Sequence, residues 1–172
     1  CSDKGGSGCK GNVSKTIKTN TNGGVSPGTV YDKAGNSAVC PNQTVKIDKT
    51  APTCTSSGGS DAWTTGSRTL VGTCSDTGGS GCKGNVTWYI NWQGEWYNLS
   101  PGTVYDNAGN SRACPSNQTV KIDKTAPTCS VNINGVVGSN GWYKQQDVGL
   151  SLSTNDSGGS SVTSYGLSLI HI

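Results

Sequence analysis

The chain repeats itself, and that repetition leaves few folds open to it. Residues 1–13 (CSDKGGSGCKGNV) return at 74–86 with a single change, Lys4 to Thr77. Residues 26–41 (SPGTVYDKAGNSAVCP) return at 100–115 as SPGTVYDNAGNSRACP, and residues 42–54 (NQTVKIDKTAPTC) return unchanged at 117–129. A period of about 75 residues describes an array of small modules, whose stability lies within each module or between neighbours. Such arrays serve reach and presentation, which points away from a one-site enzyme.

Small modules have little core to spend. Only 31% of the chain is apolar, Phe and Met are missing, and 26 residues are glycine. A module of this length buries only about 60% of its unfolded surface and needs staples. Eight cysteines in repeating places supply them and argue for an oxidising, extracytoplasmic setting, secreted or at a cell surface. A net charge of +3 is too small and dispersed for nucleic acid or an anionic membrane. No run approaches the roughly 18 apolar residues that span a bilayer.

The repeats divide the chain into residues 1–49, 50–124 and 125–166, of which only the second holds a whole period. Residues 167–172 (LSLIHI) resemble the translation of a sequencing adapter and are read as a tail, which removes His171, the single histidine, from consideration. In the whole module the strand signals are short, alternating and punctuated by Gly, Ser and Asn, as in a β-sandwich. Residues 68–74 alternate with Leu70 and Cys74 on one face. Residues 86–92 place Val86, Trp88, Ile90 and Trp92 on one face, which predicts the best core strand. Residues 103–106 form another strand, closed by an Asn-Ala-Gly-Asn turn. Residues 119–123 end the module, and Pro127 stiffens the linker to the next. No helical period occurs.

The motifs D-x-x-G-G-S-G, Y-D-x-A-G-N and V-K-I-D-K-T-A-P-T resemble the bacterial Ig-like repeats of Gram-positive surface proteins and large adhesins, over residues 1 to 166. The resemblance implies an all-β fold of tandem, disulfide-stapled Ig-like sandwiches with seven strands each, secretion, and a role as stalk or adhesion module. Lys15 and Thr19 stand where the middle copy has Trp88 and Trp92, so the first copy must build its second face differently.

The third copy reveals which cysteines belong together. Its residues 154–162 replace the stretch from Cys74 to Cys82 without either cysteine, while Cys129, the counterpart of Cys54, remains. Joint loss pairs Cys74 with Cys82 and leaves Cys54 for Cys114; by equivalence Cys1 pairs with Cys9. Cys40 and Cys129 are left without partners in the chain. The competing reading, a zinc site of four thiolates, prefers a closer C-x₂₋₄-C spacing than that of Cys74 and Cys82.

The chemistry of sites is sparse. The glycine runs lack the Lys-Ser/Thr of a phosphate loop, and no histidine is available for a nucleophile–base pair. No cofactor is expected, with calcium as the one candidate: Asp76 and Asp106 should share a pole with Asp48 from the preceding linker, and Asp123 and Asp156 form the matching set at the next junction. The plainer reading makes these carboxylates caps of Asx turns. Tyr89, Trp96 and Tyr97 are candidate binding aromatics for a host or cell-surface protein or glycan, against ordinary cross-strand packing. Trp63 and Trp142 recur at equivalent places and read as structural plugs. The expected function is a non-catalytic stalk; the alternatives are a glycan- or protein-binding module and the spacer of an extracellular enzyme.

Overall fold

The computed structural model describes residues 1–144 and 147–163; the expected tail at 167–172, with His171, lies outside them. Among the described residues the fold is all strand, with no helix. The first copy contributes β1 (Thr21–Val25), β2 (Thr29–Tyr31), β3 (Ser37–Val39) and β4 (Gln43–Ile47). The middle copy contributes β5 (Thr53–Ser57), β6 (Trp63–Thr64), β7 (Arg68–Ser75), β8 (Val86–Ile90), β9 (Gly94–Leu99), β10 (Thr103–Tyr105), β11 (Ser111–Ala113) and β12 (Gln118–Ile122). The third contributes β13 (Thr128–Asn134) and β14 (Gly149–Asn155).

The strands gather into two compact units that do not follow chain order. One holds Cys1–Ser57, Val71–Thr87 and Pro101–Pro115; the other holds Gly58–Leu70, Trp88–Ser100 and Ser116–Ile172. In the first unit β1 pairs antiparallel with β4, and β2–β3 and β10–β11 form hairpins. There β5 also pairs antiparallel with β7, with Cys54 opposite Cys74. In the second unit β12 is the centre of a three-stranded sheet, flanked by β9 antiparallel and β6 parallel. Strands β7 and β8 complete a second three-stranded sheet with β5.

The main buried cluster lies in the second unit, where Val120 and Ile122 of β12 meet Leu70 of β7 and Ile90 of β8; in the first unit Val104 and Cys114 are buried. Burial of such a side chain contributes roughly 1.5–3 kcal/mol. Trp96 and Leu99 of β9 close the core from the side. The fold is an Ig-like β-sandwich, as the resemblance implied, and its whole copy has eight strands because β6 adds a two-residue pair to the expected seven.

The aromatic assignment inverts part of the expectation. Trp88 is exposed, and Trp92 lies beyond the end of β8 at 54% exposure, so neither fills the core. Trp96 packs against it. Its register partner is Val120, and directly opposed residues of an antiparallel pair share a face. Trp92 meets Trp96 only edge-on, at 6.3 Å between centroids and 88° between planes. Strand β8 sits at a sheet edge and sends only Ile90 fully inward. Nor is Trp142 a plug: it is 77% exposed, whereas Trp63 is half-buried in β6. The third copy's sheet of β13 and β14 leaves Val131, Ile133, Leu150 and Leu152 exposed.

Strands β4 and β12 have the same sequence, QTVKI, yet different partners. The pairing of β1 with β4 runs without interruption, whereas that of β9 with β12 shifts register between Gln118 and Val120. Strand β9 is one residue longer than β1, and Asn98 takes φ 54° at the irregularity. The extra residue makes a β-bulge, which bends the strand locally.

Candidate functional site

The recurring D-x-G-G-S loop folds around its own aspartate in every copy. In the middle copy the Gly78 amide donates to Asp76 Oδ1, and the Gly81 amide and Ser80 hydroxyl donate to Oδ2. Asp3 receives the same three donors from Gly5, Gly8 and Ser7. Asp156 receives Gly158 N–H and Ser160 O–H. These are Asx-type turns, in which a short carboxylate satisfies amides that the tight backbone leaves free. The adjoining turn is equally constant: Asn110 donates its backbone and side-chain N–H to Asp106 at 2.8 and 2.7 Å, and Asn36 does so to Asp32 at 2.8 and 2.7 Å. Gly109 and Gly35, at φ 99° and 102°, give that turn its left-handed step.

Into the middle loop comes a third carboxylate, from the linker. The Ser80 amide donates to Asp48 Oδ2 at 3.0 Å, and Thr50 N–H donates to Oδ1 at 3.0 Å. Asn110 Nδ2 also donates to the carbonyls of Asp48 and Thr50. The next linker repeats the contact, with Ser160 N–H donating to Asp123 Oδ2 at 3.1 Å and Thr125 N–H to Oδ1 at 2.9 Å. Gly78 and Gly158 make room: a Cβ added at Gly78 would lie 2.2 Å from Asp48 Oδ1, and at Gly158 only 1.8 Å from Asp123 Oδ1. This explains why two glycines follow the loop aspartate. The first is the seat of the linker aspartate, and the second, Gly79, turns the chain at φ 102°.

Hydrogen bonding holds both linker carboxyls below the ordinary value of 3.8. For Asp48 the Ser80 side chain acts first, then the Thr50 amide; for Asp123 the order is Ser160 and then Thr125. Asp3 is lowered chiefly by the Gly5 and Gly8 amides, and Asp32 by the Asn36 side chain.

Asp48, Asp76 and Asp106 thus meet, each offering an oxygen within 4.8 Å of the others, with Asp106 fully buried. An open cleft of about 400 Å³ adjoins them, bounded by Lys46 and Asn22 on one side and Asn107 on the other. As a donor set, three hard carboxylates at this spacing suit calcium, but they fall short of its 6–8 oxygens. Every carboxylate oxygen there already accepts a hydrogen bond. Asp123 and Asp156 converge in the same way on Ser160. Of the candidate binding aromatics, Tyr89 and Tyr97 are 57% and 55% exposed. Tyr97 donates to Glu95, which is also paired with Lys121 at 2.7 Å. Trp96 is half-buried and packs against the core.

Three disulfides join Cys1 to Cys9, Cys54 to Cys114 and Cys74 to Cys82, and Cys40 and Cys129 are free. The Cys74–Cys82 and Cys1–Cys9 bridges clasp the glycine loops at their bases.

Fold and site together define a class: a disulfide-stapled β-sandwich chain whose linkers lodge a carboxylate in the loop that follows. Residues 25–49 match the family model of the bacterial Ig-like domain. The matched stretch runs from the end of β1 through the Asp32 turn and β4 to the linker Asp48. No curated protein and no solved structure matches the chain. Bacterial Ig-like domains are typically non-catalytic, and together with disulfides they are typical of extracellular proteins.

Proposed function

We propose that this chain is a non-catalytic stalk segment of a secreted or cell-surface bacterial protein, built from tandem Ig-like modules divided near residues 49 and 124. One observation carries the reading. The linker aspartates Asp48 and Asp123 are lodged in the following copy's loop by equivalent hydrogen bonds. A linker without such an anchor would behave as a flexible tether; a linker pinned by its carboxylate, its carbonyls and a proline transmits position. The partners this design calls for are neighbouring modules.

The seated carboxylates act as caps of their own turns; calcium at the Asp48, Asp76 and Asp106 set is the second reading, and it would have to replace hydrogen bonds already made. The alternative, a glycan- or protein-binding module, rests on Tyr89 and Tyr97, which are exposed, and on Trp96, which is half-buried against the core.

Nitrogen-15 relaxation tests the stalk reading. Lys49 and Thr50 amides should be as ordered as those of β4, and Asp48→Asn should raise their nanosecond motion while leaving the β10–β11 hairpin unchanged. Linker amides already mobile in the parent chain would overturn the reading.

A further inference from the structure

Each linker is also held from behind, by the copy it leaves. In the first copy Asn20 Oδ1 accepts the Lys49 N–H at 2.8 Å, and Lys49 Nζ donates to the Lys18 carbonyl at 2.8 Å. In the middle copy Gln93, from the turn between β8 and β9, stands at the place of Asn20. Its Oε1 accepts the Lys124 N–H at 3.2 Å and the Thr125 hydroxyl at 2.9 Å. Glutamine is one methylene longer than asparagine, and Gln93 reaches further than its own linker. Its Nε2 donates to the Gly158 carbonyl at 3.4 Å, in the glycine loop of the third copy.

A second group from the middle copy arrives at the next residue of that loop. Strand β12 sets Lys121 opposite both Trp63 of β6 and Glu95 of β9. Glu95 holds the Lys121 ammonium at 2.7 Å, and the ammonium lies 5.9 Å from the centre of the Trp63 ring. A cation over an indole is attracted by the ring's quadrupole, so this pair helps to fix how the ring stands. The other end of the ring meets the third copy: a Cβ added at Gly159 would lie 3.2 Å from Cη2 of Trp63 and 3.8 Å from Cζ2. The two glycines therefore clear space for different neighbours, Gly158 for the linker carboxylate and Gly159 for the indole. Trp63, Gln93, the linker and the loop all belong to one compact unit.

We propose that Trp63 and Gln93 form a docking face on the middle copy, and that its occupant is the D-x-G-G-S loop of the copy that follows. The two modules join by direct contact between their bodies, and the seated Asp123 is a further anchor of the same joint. A buried aromatic beside a hydrogen-bonding group is the usual energetic centre of a protein interface. The face is selective, because a side chain at the second glycine would meet the indole. The proposal rests on the stalk reading and deepens it, replacing a pinned linker by a module-to-module interface.

The test is NMR on the whole, isotope-labelled chain. Nuclear Overhauser contacts should join the Trp63 ring protons to the Gly159 α-protons, and those α-protons should be displaced by the ring current. Gln93→Glu keeps an acceptor for Lys124 and Thr125 but loses the donor to Gly158. It should raise the nanosecond motion of the Gly158, Gly159 and Ser160 amides and leave those of Lys124 and Thr125 as they were. Trp63→Leu should abolish the displacement at Gly159 and loosen the same loop, while the Gly78–Gly81 loop keeps its signals. Should Trp63→Leu fail to fold, Gln93→Glu decides, since Gln93 lies outside the strands. No Trp63–Gly159 contact in the parent chain, or a loop equally ordered in the variants, overturns the proposal. The two readings fail separately. If Lys124 and Thr125 are ordered and the Trp63–Gly159 contact is missing, only the docking face falls; if those linker amides are mobile, the stalk reading falls with it.

Discussion

A short carboxylate is useful here because each of its two oxygens can receive a different donor. Asp48 accepts from Thr50 with one oxygen and from Ser80 with the other, so one side chain ties the linker both to itself and to the next loop. Protonation weakens both bonds. The folded values of Asp3, Asp32, Asp48 and Asp123 all lie below the unfolded 3.8. Their contribution is therefore fully present above that value and is lost as pH falls through the lower folded values. Thermal melting should be flat in this respect from pH 7 to about 5 and fall steeply below about 4. Asp48→Asn should shrink that acid-side fall. A melting temperature that begins to drop near pH 6 would assign the effect to other groups.

At the level of strands, the bridge between Cys54 and Cys114 closes the longest covalent loop, with a separation of 60 residues, against 8 for Cys74–Cys82. In the loop-entropy model these contribute about 4 and about 2.5 kcal/mol. Replacing Cys54 and Cys114 together by Ala should thus cost more in denaturant melting than replacing Cys74 and Cys82, and equal losses would count against the model. Much of this arrangement could be read from residues alone. The D-x-A-G-N turn, the alternation around Leu70 and the linker after Ile122 all rest on local signals, namely turn chemistry and a period of two. The joint loss of two cysteines in the third copy was legible for the same reason, as a difference within a repeat. The place of the tryptophans was not. Alternation shows that Trp88 and Ile90 share a face, but not that β8 stops at Ile90 or that the space beside Val120 is filled from β9. The choice depends on register, and register between β9 and β12 is set by a bulge that no local pattern announces. The seat of Asp48 over Gly78 was equally hidden, because a glycine run looks the same whether it turns the chain or clears space for a neighbour.

For the chain as a whole, stability is divided among a few aliphatic side chains, three disulfides and the carboxylate clusters. This division decides what calcium can do. If the clusters are caps, their hydrogen bonds are already in place, and calcium chloride against a chelator should leave the melting temperature of the whole chain unchanged. A rise that disappears in Asp106→Asn would make the first cluster a metal joint instead.

The shared sequence of β4 and β12 has one further consequence. While the chain folds, both strands offer the same five residues to any strand in search of an antiparallel neighbour, so neither carries an address of its own. Discrimination must come from the strands that approach them. Strand β1, with two adjacent glycines, and β9, with its bulge and its inward tryptophan, are as unlike as the targets are alike. Exchanging the sequences of β1 and β9 would therefore do more than weaken two sheets: it would send each copy's closing strand to the wrong half of the chain.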